Sequence, residues 1–135
     1  MFAQVILSIS HTNIDRVFDY GVPAGLENRI RIGMRVRVPF GRGEKENEGY
    51  VVGLSRESEV KADKLKYITS IPDDFAIFSP EMIELAKWMK ERYFCTLSSC
   101  LKTIMPGGIK DRNDYYVSVR YIRPAENFIN YIGVY

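Results

Sequence analysis

The chain has 135 residues, of which 46% are hydrophobic and 27% are charged, and its formal net charge is +2. This size and composition suit one compact domain or a domain with a small appendage, and they argue against an intrinsically disordered chain. Because the net charge is close to zero, any nucleic-acid site must depend on where the basic residues lie and not on their total.

No apolar run approaches the ~20 residues that span a bilayer, and the opening residues, MFAQVILSIS, lack the basic region of a signal peptide. We therefore expect a cytoplasmic protein without membrane contact. The sequence contains no P-loop, dinucleotide-binding or zinc-protease motif. The single histidine, His11, has no neighbours that would complete a catalytic triad, so we expect no catalytic role for it.

Short alternating segments separated by turns occupy roughly the first seventy residues. The expected strands span residues 2–9, 16–20, 34–38, 49–54 and 65–71. In the second strand, alternation places Val17 and Asp19 on one face and Phe18 and Tyr20 on the other. Strands of this length and spacing predict a small antiparallel β-barrel, closed or half closed.

Residues 29–42 read RIRIGMRVRVPFGR and contain arginines but no acidic residue. The alternation within this stretch predicts three buried side chains, Met34, Val36 and Val38. Arg35 and Arg37 are then expected to face water, and the strand would end before Gly41. This pattern predicts a cationic strand face that attracts anions, although it also suits an edge strand protected by charge. The charged residues 43–48 are expected to form a hairpin tip.

A helical pattern begins at residue 79. Ser79 is a suitable N-cap, and Pro80 suits the first helical position. Apolar residues at helical spacing predict a face packed on the core, and they are Met82, Leu85, Ala86, Met89 and Tyr93. Trp88, beside this stripe, is expected to belong to the core and not to a ligand site. Thr96 is a candidate cap for a second helix that continues to residue 103.

Cys95 and Cys100 are the two cysteines of the chain. Their spacing fits neither a CxxC metal site nor a dense disulfide framework. We expect two reduced, partly buried thiols.

The composition changes after residue 106. Residues 115–122 alternate like a strand, and residues 124–135 are apolar without an evident partner. We therefore expect two domains, residues 1–106 and residues 107–135, the second being a linker and the beginning of a further domain. On this interpretation the chain is a fragment of a longer protein.

Several motifs resemble, in wording and order, the N-terminal DNA-binding domain of the PriA family of primosomal replication-restart helicases (primosomal protein N′). The matching segments are DRVFDY at 15–20, GMRVRVPFGR at 33–42, GYVV at 49–52, LKYI at 65–68 and LAKWM at 85–89. The resemblance covers residues 3–106. The most specific part of it is the combination of RVRVPFGR with FDY.

The resemblance implies a bacterial, cytoplasmic module that captures the 3′-hydroxyl end of a nascent leading strand at stalled replication forks. The expected partners are DNA with a 3′-OH end, forked DNA and, through the full-length protein, other primosome proteins and single-strand-binding proteins. The helicase motor, its ATP site and the zinc-binding cysteines of the family lie in later regions. We therefore expect this chain to be no enzyme and to carry no cofactor. The family continues after Pro106 into a winged-helix domain.

The family's 3′-end pocket corresponds to Phe18, Asp19, Tyr20, Gly41 and Lys66, and the expected phosphate-binding residues are Arg35, Arg37 and Arg42. An ionised carboxylate at residue 19 would accept a hydrogen bond from a terminal hydroxyl but repel an internal phosphate. The aromatic rings at residues 18 and 20 would offer a stacking face or apolar wall to the terminal base. Without the resemblance, these rings suit a core, and the carboxylate suits an ion pair with an arginine.

A protein-interaction role is the alternative. A small β-barrel of a replication or repair complex would use exposed aromatic residues, with Tyr50 and Tyr67 as candidates, to anchor a protein partner.

Overall fold

The computed structural model describes residues 1–9, 15–43 and 45–105. His11 and the expected second domain at residues 107–135 lie outside the described residues, so both predictions about them stay open. Neither of the described helices is long and apolar enough to cross a membrane.

The fold has one antiparallel sheet followed by two helices, as the predicted strands and helices imply, and it is therefore of the α+β class. Its elements are β1 (Phe2–Leu7), β2 (Val17–Gly21), a short 3-10 turn (Ala24–Leu26), β3 (Arg35–Pro39), β4 (Glu46–Ser55), α1 (Pro80–Tyr93) and α2 (Leu97–Ile104). The strand order in the sheet is β2-β1-β4-β3. The two central strands are therefore β1 and β4, and β2 and β3 form the edges.

The sheet has an apolar cluster on each of its two faces because its central strands are buried on both sides. One cluster contains Val5, Val36 and Ile68 among its members. The other joins Ile6 to the helical residue Ile83. The register of β1 against β4 shifts between Gln4 and Val5, where Gln4 faces Gly53 and Val5 faces Val51. Such a β-bulge leaves one residue of β4 unpaired and increases the local bend of the sheet.

The prediction of a last strand at residues 65–71 is wrong. This segment forms only two isolated bridges, one from Tyr67 to Gly21 of β2 and one from Ser70 to Arg37 of β3. It crosses from one edge of the sheet to the other instead of running along either edge. The sheet is therefore not closed as a barrel, but residues 66–70, here called the strap, contribute backbone hydrogen bonds to both edge strands. Covering an edge in this way limits its pairing with other chains.

The start of α1 is as predicted. The Ser79 side chain accepts a hydrogen bond from the Met82 backbone N–H at 3.2 Å, and Pro80 occupies the first helical turn. The cap satisfies one of the backbone donors that every helix leaves free at its N-terminus. The Thr96 side chain caps α2 in the same way through the Ser99 N–H.

The predicted buried face of α1 is wrong in part. Ala86 is buried and Met82 and Met89 are half-buried, but Leu85 and Tyr93 are exposed. The fully buried stripe instead pairs Ala86 with Ile83, because α2 and the sheet cover only that side of the helix. Trp88, expected in the core, is 53% exposed and contacts Tyr93 edge to face with ring centroids 6.0 Å apart.

The two cysteines are free thiols. Cys100 is buried in α2, and its sulfur lies 3.0 Å from the sulfur of Cys95. Burial raises the pKa of the Cys100 thiol to about 11, so this group stays neutral at physiological pH.

Candidate nucleic-acid interface

A cavity of about 880 Å³ opens beside β2, between the turn that follows β3 and the loop that follows β4. All five residues expected for the 3′-end pocket line it, namely Phe18, Asp19, Tyr20, Gly41 and Lys66. Three of them are consecutive in an edge strand, and the others come from the turn and the strap. The fold thus brings these residues together around one space, while their contact with a DNA end stays a prediction.

Tyr20 forms a wall of the cavity. Its side chain is almost fully buried, and its hydroxyl donates a hydrogen bond to the Pro39 carbonyl oxygen at 3.0 Å. Burial raises the pKa of Tyr20 to about 12, so the hydroxyl remains protonated and the bond persists at neutral pH. This contact joins β2 to the end of β3, directly before the turn that carries Gly41.

Phe18 is half-buried between two neighbours. Its ring meets that of Phe40 edge to face with centroids 5.2 Å apart, and the Arg16 guanidinium lies 4.7 Å from its centroid. Arg16 also lines the cavity but was missed in the sequence. The signal available was its position directly before the segment 17–20, all of which lines the same cavity.

Asp19 accepts a hydrogen bond from the hydroxyl of Ser58 at 2.7 Å. Among the described residues it forms no ion pair, so the alternative of a structural pair with an arginine does not hold there. Ser58 was also missed in the sequence. No local signal could have found it, because it is 39 residues away in a polar loop.

Lys66 spans the cavity from the strap to the turn. Its ammonium donates to the Gly41 carbonyl oxygen at 3.1 Å, and within the described part of the chain it has no carboxylate partner at ion-pair distance. Gly41 has a φ of +79°, and a Cβ added there would meet nothing within 4 Å. The glycine is therefore suited to its backbone conformation, and the space in front of it is open.

The prediction that Arg35 faces water is wrong. Its side chain is 1% exposed and forms a bidentate pair with Asp73, with the Nε and Nη2 donors 2.8 and 3.1 Å from the two carboxylate oxygens. Glu48 of β4 lies 3.6 Å away on the same guanidinium. Asp73 belongs to the segment between the strap and α1, which covers this side of β3. We therefore leave Arg35 out of the phosphate-binding set.

The other two arginines of that set are exposed. Arg37 lies 3.9 Å from Glu46, and Arg42 follows Gly41 in the turn, but neither lines the cavity. Glu46 and Glu48 belong to β4, so the charged stretch 43–48 is only in part a hairpin tip. The acids of β4 thus offset arginines of β3 across the strand pair.

The charged residues around the cavity are mixed in sign. The basic residues that line it are Arg16, Lys64 and Lys66, and the acidic residues are Asp19, Glu57 and Glu59. The cavity therefore combines opposite charges from different elements, and two of its three acidic residues lie in the loop after β4.

The two aromatic candidates for a protein partner differ in exposure. Tyr50 is buried and packs edge to face on Phe78 at 5.2 Å, so its use as an exposed anchor is wrong. Tyr67 is 55% exposed.

The comparisons with known proteins agree with one another, and the family match covers nearly the whole described region. The family model of the PriA 3′DNA-binding domain (3′BD) matches residues 4–106. Replication restart protein PriA of Bacillus subtilis is 28% identical over 120 residues, which cover 89% of this chain and 15% of that protein. The PriA of Chlamydia muridarum is 33% identical over 109 residues, covering 78% and 14%, and that of Rickettsia conorii is 36% identical over 112 residues, covering 82% and 16%. The chain thus spans only about one-seventh of the length of these relatives.

Proposed function

This chain belongs to the PriA 3′DNA-binding domain family, and from that membership we propose that it is a non-catalytic module that captures the 3′-hydroxyl end of a nascent leading strand at a stalled replication fork. It would do so as one part of a longer replication-restart protein. Helicase activity, ATP and zinc binding, the preference for forked DNA and contacts with primosome and single-strand-binding proteins would belong to the full-length protein.

The observation that carries this proposal is that Asp19 lines the same cavity as the aromatic residue Phe18 and the basic residue Lys66. A terminal 3′-hydroxyl can donate a hydrogen bond to this carboxylate. An ionised 3′-phosphate has no such proton to donate, and its negative charge would repel the Asp19 carboxylate at hydrogen-bond range. One carboxylate therefore both accepts the correct end and rejects the wrong one.

The remaining residues would position the strand without reading its sequence. The Phe18 ring, supported by Phe40, offers a wall against which the terminal base can stack, and such stacking is worth roughly 1–3 kcal/mol for any base. Lys66 would hold the phosphate nearest the end. Arg37 and Arg42 would hold phosphates further along the strand.

The test compares two partial duplexes that differ only in a 3′-OH or a 3′-phosphate on a recessed strand, with binding followed by fluorescence anisotropy. A hydrogen bond to a charged group contributes about 1.5–3 kcal/mol, so the hydroxyl end should bind about tenfold more tightly or better. Asp19→Asn keeps the shape of the side chain and should remove this preference. Asp63→Asn, in an exposed position that does not line the cavity, is the matched control. Equal affinity of the unaltered chain for both ends would refute the proposal.

A second candidate function, a protein-interaction module of a replication or repair complex, is favoured by a separate observation. Large apolar side chains are exposed around the C-terminal part of α1, and they are Leu85, Trp88, Tyr93 and Phe94. These residues do not line the cavity, so the two functions are compatible. A stable protein partner that is lost in Trp88→Ala, together with DNA binding that is insensitive to salt, would favour this role over the first.

A further inference from the structure

The loop after β4 forms one wall of the cavity. Four consecutive residues, 57 to 60, line it, and neither the motifs of the sequence nor the expected 3′-end pocket includes them. The proposed DNA end would enter this same space. The side chains of the loop therefore affect whether a further nucleotide can follow the terminal one into the cavity.

Ser58 holds this loop against the pocket. Its hydroxyl oxygen accepts a hydrogen bond from the Val60 backbone N–H at 3.1 Å and donates its proton to the Asp19 carboxylate at 2.7 Å. The hydroxyl is therefore oriented from both sides. It holds one oxygen of Asp19, Oδ2, and leaves the other, Oδ1, to accept a further donor.

The flanking residues of Ser58 are Glu57 and Glu59, both exposed and both on the cavity wall. Among the described residues neither glutamate is within ion-pair distance of a basic group. Because Ser58, which lies between them, contacts Asp19, a strand that continued past a terminus held by Asp19 would bring a further phosphate towards these two acidic residues. Like charges in this arrangement disfavour each other, and more strongly in a partly enclosed cavity than in open water.

We propose that residues 57–60 are an end wall that excludes a continuing DNA strand, and that Ser58 is the positioning residue that holds this wall and the Asp19 carboxylate in place. The proposal rests on the proposed capture of 3′ ends. It keeps the same ligand, a 3′-hydroxyl end, and divides its selection between two groups. Asp19 distinguishes hydroxyl from phosphate at the end, and the wall distinguishes an end from uninterrupted backbone.

The experiment uses one single-stranded oligonucleotide in two forms, linear with a 3′-OH and covalently circularised, so that sequence, length and charge density are matched. The unaltered chain should bind the linear form about tenfold more tightly than the circle, because the circle brings a further phosphate against the acidic wall and has no 3′-hydroxyl to donate to Asp19. The double substitution Glu57→Gln/Glu59→Gln should tighten binding of the circle and bring the ratio towards one. Glu84→Gln/Glu91→Gln, which changes the net charge equally on α1, should leave the ratio as it is.

Ser58 is tested by removing and restoring its hydroxyl. Ser58→Ala should lower the ratio of linear to circular affinity several-fold, and also the ratio of 3′-OH to 3′-phosphate affinity, because both the wall and Asp19 lose their anchor. Ser58→Thr keeps a hydroxyl and should restore both ratios. Thr103→Ala is the control, because the exposed Thr103 hydroxyl of α2 donates a hydrogen bond to the Ser99 carbonyl oxygen but does not line the cavity, so its loss should leave both ratios unchanged.

The outcomes separate this inference from the proposed function. If the unaltered chain binds linear and circular DNA equally, both fail. If it prefers the linear form and Asp19→Asn removes the discrimination against 3′-phosphate, but neither the glutamate pair nor Ser58→Ala changes the ratio of linear to circular affinity, then only the end wall is refuted. A change of equal size in the α1 control would also refute it, since the effect would then be one of net charge.

Discussion

Two arginines of the same strand, separated by one residue, have opposite environments. Arg37 is exposed, whereas Arg35 is buried and held by Asp73. Burial of a charge is costly, and it is tolerated here because the bidentate pair and the nearby Glu48 compensate the guanidinium. Arg35 therefore contributes to the fold, although its residue type and strand context resemble those of a ligand-binding arginine.

Arg35→Met should destabilise the protein by about 3–5 kcal/mol, because it leaves the Asp73 carboxylate buried without its partner. Urea denaturation followed by circular dichroism measures the change. The double variant Arg35→Met/Asp73→Leu removes both charges and should recover most of the loss. Arg37→Met, at an exposed position, should change the free energy of unfolding by less than about 0.5 kcal/mol. If the single and double Arg35 variants were equally unstable, the ion pair would not be the cause.

The turn between β3 and β4 is the element that completes the cavity. It contains Gly41 and Gly43, whose φ angles are +79° and +85°, and a Cβ at either would meet nothing within 4 Å. The two glycines thus have the same backbone requirement and the same free space. They differ in position, because only Gly41 lines the cavity and receives the Lys66 hydrogen bond on its carbonyl oxygen.

Gly41→Ala and Gly43→Ala should therefore destabilise the protein to a similar extent, about 1 kcal/mol each, through the cost of a side chain in the left-handed region. Only Gly41→Ala should weaken oligonucleotide binding, because its methyl group would project into the space that the terminal nucleotide needs. Thermal unfolding and anisotropy titrations on the same samples separate the two effects. Equal loss of binding in both variants would assign the effect to the backbone of the turn and not to the cavity.

For the whole molecule, the small net charge makes the distribution of charge decisive. Buried or paired residues such as Arg35 and Arg29 contribute to the formal total but not to a free cationic surface, and the β4 acids offset part of β3. The phosphate contacts proposed above are therefore few, from Lys66, Arg37 and Arg42. The affinity for DNA would depend on contacts with the terminal nucleotide as much as on phosphate contacts along the strand.

The logarithm of the binding constant for single-stranded DNA should accordingly fall with the logarithm of salt concentration with a slope of about −2, because each phosphate contact contributes about −0.7. Arg42→Ala should flatten the slope by about 0.7 and weaken 3′-OH and 3′-phosphate ends alike. Arg29→Ala, which removes an exposed partner of Asp74 outside the cavity, is the control and should leave the slope unchanged. A slope that Arg42→Ala did not alter would remove this residue from the phosphate-binding set.

The sequence by itself determined the features that depend on near neighbours. The alternation of residues 17–20 predicted which side chains of β2 share a face, and Ser79 with Pro80 marked the start of α1, because strand and helix periods and caps act over a few positions. The resemblance to the PriA family added the five expected pocket residues, and all five line one cavity in the structure.

Only the tertiary structure decided which distant groups meet. Asp73 pairs with the buried Arg35 although the two are 38 residues apart in sequence, and Ser58 bonds Asp19 across 39 residues. The strap joins the two sheet edges without forming a strand, and the packing of α2 leaves Trp88 exposed. In each case the local pattern permits both outcomes, and the choice depends on the free energy of contacts that exist only once remote segments are packed together.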